Sequence, residues 1–138
     1  MNFSAFLAIA LGGFAGSWVR WILGVLLNHL FPTLPPGTLA ANLLGGFIMG
    51  CMMGIFEHFQ SLPAALRLFV LTGFLGSLTT FSTFSAEADT LLLHGQYLWF
   101  GLHIAAHLIG SLGLTLLGIF LTHGLLRRPT PTQKESAR

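Results

Sequence analysis

The sequence predicts an all-α integral membrane protein of four transmembrane helices, the third of them broken near Gly76–Thr79. Three observations carry this expectation. Of 138 residues, 54% are hydrophobic and 7% are charged, against roughly 25% charged in soluble domains. Mean hydropathy is +0.79, and so few charges cannot dress a water-facing surface. Four apolar segments follow one another, each meeting the length of roughly 20 residues that crosses about 30 Å of hydrocarbon. Finally, the third segment holds Gly73-Phe74-Leu75-Gly76-Ser77-Leu78-Thr79-Thr80-Phe81-Ser82-Thr83-Phe84. Its glycines and its run of hydroxyls and rings weaken a helix where lipid demands unbroken backbone bonding.

The expected spans are Phe3–Leu27, Thr38–Phe56, Leu66–Leu93 and Leu98–Leu126. Turn chemistry joins them at Phe31-Pro32-Thr33-Leu34-Pro35-Pro36-Gly37, at Gln60-Ser61-Leu62-Pro63 and at His94-Gly95-Gln96. The N-terminus has no basic stretch ahead of its apolar run and reads as a retained helix. Residues 1–126 form one four-helix domain; residues 127–138 are polar, proline-broken and expected to be disordered. Small residues recur at close-packing spacing, Gly12 with Gly16, and Gly46 with Gly50 and Gly54. They fit packing within the chain or between subunits. Four helices make a thin bundle that hardly encloses a polar path alone, which favours a homo-oligomer.

The formal net charge of +2 gives no basic patch for nucleic acid, and the single Cys51 excludes an intrachain disulfide. No nucleophile–base pair, phosphate loop or catalytic metal set suggests an enzyme. Arg67, Arg127, Arg128, Lys134 and Arg138 share one side of the membrane, which places both termini in the cytoplasm by the positive-inside rule. Four of these five lie in the tail, so insertion in both orientations is physically open.

Polar residues at membrane depth are the functional candidates. Arg20 and Glu87 each lie about seven residues from a helix end, on the order of 10 Å below one face. They are expected to share a watery vestibule or to brace the bundle. Asn42, one turn into the second helix, offers two amide donors for a helix–helix bond or a path. Phe81 and Phe84 are neighbours on one helical face, interleaved with Thr80, Ser82, Thr83 and Ser85. Ring edges are electropositive. With hydroxyl and amide donors they replace the hydration shell of a small anion without trapping it. Carbonyls of Gly76 to Thr79, released by the break, suit a hard cation such as Na⁺. His103 and His107, one turn apart, have a spacing that suits a metal or haem; His107 and Ser111 alternatively line a polar path.

Together, Gly12-Gly13-x-x-Gly16-x-x-x-Arg20-Trp21, Pro36-Gly37-Thr38-Leu39-x-x-Asn42, Gly73-x-x-Gly76-x-Leu78-Thr79-Thr80-Phe81-Ser82-Thr83-Phe84-Ser85-x-Glu87 and Gly110-Ser111 resemble the Fluc (CrcB) fluoride channels. The resemblance implies an antiparallel, dual-topology homodimer in the bacterial inner membrane that passes fluoride outward without energy coupling. It implies that Phe81 and Phe84 contact fluoride by their edges and that Asn42, Ser82, Thr83 and Ser111 line the pore. It further implies one structural Na⁺ at the dimer axis on backbone carbonyls of Gly76 and Thr79, with Arg20 and Glu87 as recurrent polar positions of undefined role. The alternatives are a small proton-coupled exporter using Glu87 and a non-transporting assembly subunit.

Overall fold

The computed structural model describes residues 2–126; the tail expected over residues 127–138 lies outside them. Four helical spans are present, at Phe3–Leu30, Pro36–His58, Ala64–Leu93 and Tyr97–Leu126. Helix α1 (Phe3–Leu27) runs into a tight turn at Asn28–Leu30. Helix α2 (Pro36–His58) begins two residues earlier than expected because Pro36, with its fixed φ and missing N–H, occupies the first turn. Asn28 then takes the next two free donors: its Oδ1 accepts from the N–H groups of Gly37 (2.8 Å) and Thr38 (3.3 Å). The loop thereby fixes where Thr38 points.

The third span is two half-helices. Half-span α3 (residues 64–78) starts as an α-helical turn at Ala64–Arg67 and widens to π-helical turns over Leu68–Leu75. It tightens again at Gly76–Leu78. Helix α4 (Phe81–Leu93) follows. The break falls at the C-terminal edge of the expected stretch: Thr79 (φ −78, ψ 150) and Thr80 (φ −143, ψ 117) are extended, whereas Gly76 (φ −62, ψ −26) is still helical. The threonines, with β-branched side chains that favour extended backbone, make the break; the glycine does not. Wide turns just upstream were not expected from sequence. Gly95 (φ 69) makes the turn into α5 (Tyr97–Leu126) in a left-handed conformation that other residues rarely adopt.

Helix α1 packs along α3, and α2 along α5. The α2–α5 seam is held at backbone distance. A methyl on Gly50 would strike the Thr115 carbonyl oxygen, and one on Gly118 the Phe47 carbonyl oxygen and the Cys51 nitrogen. Gly12 and Gly16 meet the backbone of Phe69, Gly73 and Phe74 in the same way. These small-residue faces therefore serve packing within the chain, the first of the two readings of their spacing. The buried apolar core is small, with Ala41, Leu75 and Leu78 at its centre. Large apolar side chains cover the outside, including Phe14, Trp18 and Trp21 on α1 and Ile109, Leu112 and Phe120 on α5. That is the arrangement of a chain whose solvent is lipid.

Candidate functional site

The site is built on Thr80, the extended residue between the half-helices. An unpaired N–H and C=O at membrane depth would each cost several kcal/mol, or about that order. Asn42 answers both: its Oδ1 accepts from the Thr80 N–H at 2.8 Å and its Nδ2 donates to the Thr80 carbonyl at 3.1 Å. This two-point pairing fixes which way the amide faces. Its second N–H then points at His107 Nδ1, 3.0 Å away, so that Nδ1 accepts and the neutral ring carries its proton on Nε2.

The Thr80 hydroxyl caps α4, accepting from the Thr83 N–H at 3.1 Å and donating to Thr83 Oγ1 at 3.0 Å. Two diversions follow. The Thr80 N–H is the ordinary helical partner of the Gly76 carbonyl, and the Thr83 N–H that of the Thr79 carbonyl. Both are committed elsewhere, to Asn42 and to the Thr80 hydroxyl. Gly76 and Thr79 thus present carbonyls relieved of their usual bonds.

A cavity of about 420 Å³ opens at this point. Its wall includes Asn42, Gly76, Thr79, Phe81, Phe84 and Ser111. Six of the residues singled out from sequence thus converge on one space. His107 and Thr115 join Ser111 along it, so α5 contributes a row of polar groups at four-residue spacing. The Phe81 and Phe84 rings lie 5.6 Å apart with planes inclined at 46°. They differ in support: Phe81 is 79% exposed, while Phe84 is half-buried and stacks on His103 at 5.2 Å, nearly parallel at 11°. Phe84 also packs on His107 at 4.9 Å.

The other expected residues stand apart. Thr83 lines a second cavity, also about 420 Å³, with Arg20, Ser17, Asn28 and Thr38. Thr80 borders both cavities and separates them. Ser82 is exposed, with its hydroxyl 3.2 Å from that of Thr80. Arg20 and Glu87 do not share a chamber. Glu87 lies behind Thr38, whose hydroxyl donates to its Oε1 at 2.6 Å, and opens on a third cavity beside Thr33, His94 and Gln96. Its other oxygen faces His103 Nε2 at 3.7 Å. Among the described residues no ion pair joins Arg20 to a carboxylate.

Sequence reasoning left His103 and His107 between a metal spacing and, for His107 with Ser111, a polar path; both are buried and hold the ring and the amide that it did select. Their signal was the four-residue spacing to each other and to Ser111. That signal is ambiguous until the facing residues are known.

Chemically, the main cavity offers aromatic rings with electropositive edges, hydroxyls and an amide, with no Asp, Glu, Lys or Arg on its wall. An ion can be partly dehydrated there without a countercharge to hold it.

A family described as CrcB-like protein, Camphor Resistance (CrcB), matches residues 7–119. Among curated proteins, the chain is 57% identical over 119 residues to a fluoride-specific ion channel FluC of Nitrosospira multiformis, covering 86% of this chain and 93% of the relative. It is 58% identical over 122 residues to the protein of that name from Tolumonas auensis, covering 88% and 95%. With the one from Ralstonia nicotianae it shares 50% over 125 residues, covering 91% and 99%.

Proposed function

The chain belongs to the CrcB-like family, and from that membership we propose that it is a passive, fluoride-selective ion channel, a transporter and not an enzyme. The observation that carries the reading is the cavity at the helix break, where Asn42, Phe81, Phe84 and Ser111 face one space without a charged side chain. Fluoride is small and strongly hydrated, so its passage requires replacement donors. Ring edges and hydroxyls supply these, while the start of α4 adds backbone N–H groups and a partial positive charge. Arg20 gives the neighbouring cavity a positive group that draws anions toward the break. Thr83 acts on that side of Thr80, while Ser82 is tied to the Thr80 hydroxyl between the two cavities. In the bacterial inner membrane, the negative interior drives the anion out and relieves fluoride accumulation.

The working unit in this reading is an antiparallel homodimer. The exposure of Phe81 supports it, since a ring edge 79% open in one chain needs a second wall to exclude lipid. The freed carbonyls of Gly76 and Thr79 suit a hard monovalent cation, and two copies related by a two-fold axis would offer four. Na⁺ held there would join the subunits and offset crowded carbonyl dipoles. It is structural and not transported.

Electrogenic transport that needs no proton gradient distinguishes this from a proton-coupled exporter. Efflux of fluoride from liposomes loaded with potassium fluoride should proceed only when valinomycin carries K⁺ as counter-ion. Efflux that instead follows an imposed proton gradient, without need of a shunt, would overturn the channel reading. Glu87, which an exporter would need in the path, lines a different cavity from the rings.

A further inference from the structure

Beside the Phe84 ring, on which His103 and His107 both pack, three ligating side chains converge. One ligand atom each from Glu87, His103 and His107 lies within 4.8 Å of the others. All three face inward: His103 is 1% exposed and His107 6%, and the Glu87 side chain is 16% exposed. Two of their atoms, Glu87 Oε2 and His107 Nε2, are buried with no hydrogen-bond partner. Two orphaned polar atoms on neighbouring side chains, at membrane depth, are costly unless a third species joins them. We propose that Glu87, His103 and His107 form a binding site for a divalent transition metal such as Zn²⁺, and that its occupation closes the anion path.

Two histidines and one carboxylate are a ligand set of the borderline-soft metals, and three protein ligands leave a fourth position open to water. The spacing needs little adjustment. His103 Nε2 and Glu87 Oε2 are 3.7 Å apart, while ligands on tetrahedral zinc with bonds near 2.1 Å sit about 3.4 Å apart. A metal reaches the site from water through the cavity of about 340 Å³ that Glu87 shares with Thr33, His94 and Gln96. The Thr38 hydroxyl, donating to Glu87 Oε1, orients the carboxylate with Oε2 toward the histidines, as outer partners do in metal sites.

The coupling to transport follows from the His107 tautomer. Asn42 is held by the Thr80 backbone with an N–H facing His107 Nδ1, which keeps the ring proton on Nε2. A metal bound at Nε2 displaces that proton to Nδ1, where it meets the Asn42 N–H head on. The Asn42–His107 bond is then lost, and with it the clamp on the broken backbone loosens. His103 likewise gives up its bond to the Phe84 carbonyl (3.3 Å), on the residue whose ring it stacks against. Binding at this site therefore disturbs Asn42 and Phe84 together, through His107, which borders the cavity that they line.

The effect on transport rests on the fluoride reading; the binding does not, and the two are measured separately. Purified, tag-free protein in detergent is titrated with Co²⁺ and followed by visible absorption. We expect one saturable site per chain with the absorption of low-coordinate cobalt, displaced by Zn²⁺. His103→Ala and the isosteric Glu87→Gln should each weaken it by about 10–100-fold or more. His123→Ala, which alters an exposed pair with Glu57, should leave it unchanged. Binding that is absent, or equally tight in Glu87→Gln, overturns the site. In liposomes, Zn²⁺ should block fluoride efflux over the concentration range in which it displaces cobalt. Flux that persists at full occupancy overturns the coupling through Asn42. If the untreated protein passes no fluoride, the fluoride reading fails and the cobalt result stands on its own.

Discussion

Asn42 carries an unusual burden for one side chain: it closes both halves of a broken backbone and sets the tautomer of His107. Asn42→Asp replaces the amide donors by an oxygen facing the Thr80 carbonyl and His107 Nδ1. We expect a loss of stability of about 1–3 kcal/mol for the unpaired backbone group, read as a lowered midpoint of thermal unfolding, with fluoride flux abolished. Unchanged unfolding and flux would remove Asn42 from this role. The two phenylalanines separate stability from transport. Phe81→Ile alters a ring that the chain itself leaves 79% exposed, so unfolding should shift less than in Phe84→Ile while efflux falls at least tenfold, or about that order, for lack of the positive ring edge. Phe84→Ile should impair both, because that ring also packs against His103 and His107. Full efflux in both variants would reduce the rings to packing.

At the scale of the element, the half-helices α3 and α4 depend on the Thr80 cap. Thr80→Val keeps the shape and the extended preference but loses the hydroxyl that accepts from the Thr83 N–H, a change worth about 1 kcal/mol. Unfolding should report that loss, and a value indistinguishable from wild type would mean the break is held by Asn42 alone. The four spans were legible in the sequence because apolar runs of this length have few alternatives. Asn42, Phe81 and Phe84 were legible because polar or interleaved residues are rare at such depth. What joins them was not. The partner of Asn42 is a backbone 38 residues away, and nothing in the spacing of Thr38 marks it as the donor to Glu87. Arg20 and Glu87 lie at matching depths, yet depth fixes height in the bilayer and not angular position. They accordingly face different cavities. Gly76 drew attention as a helix breaker, while hydroxyl capping and amide pairing at Thr79–Thr80 made the break.

For the whole molecule, the proposed second subunit makes an asymmetric demand on glycines. Gly50→Ala should destabilise the chain itself, since its methyl would meet the Thr115 carbonyl within the same bundle. Gly76→Ala meets only the Leu71 carbonyl at 3.8 Å, so a single chain tolerates it. If two copies bring their Gly76 and Thr79 carbonyls together, Gly76→Ala should weaken the dimer and its flux, measured by size-exclusion light scattering and efflux. A fully dimeric, fully active Gly76→Ala protein would place the contact elsewhere. The central claim is that the space at the helix break passes fluoride because rings, hydroxyls and an amide replace its hydration shell. Its most direct test is anion efflux from liposomes containing only this protein, with a K⁺ shunt, compared for fluoride and chloride. The account predicts rapid fluoride efflux with chloride retained; chloride leaving as fast as fluoride, or fluoride held back, would contradict it.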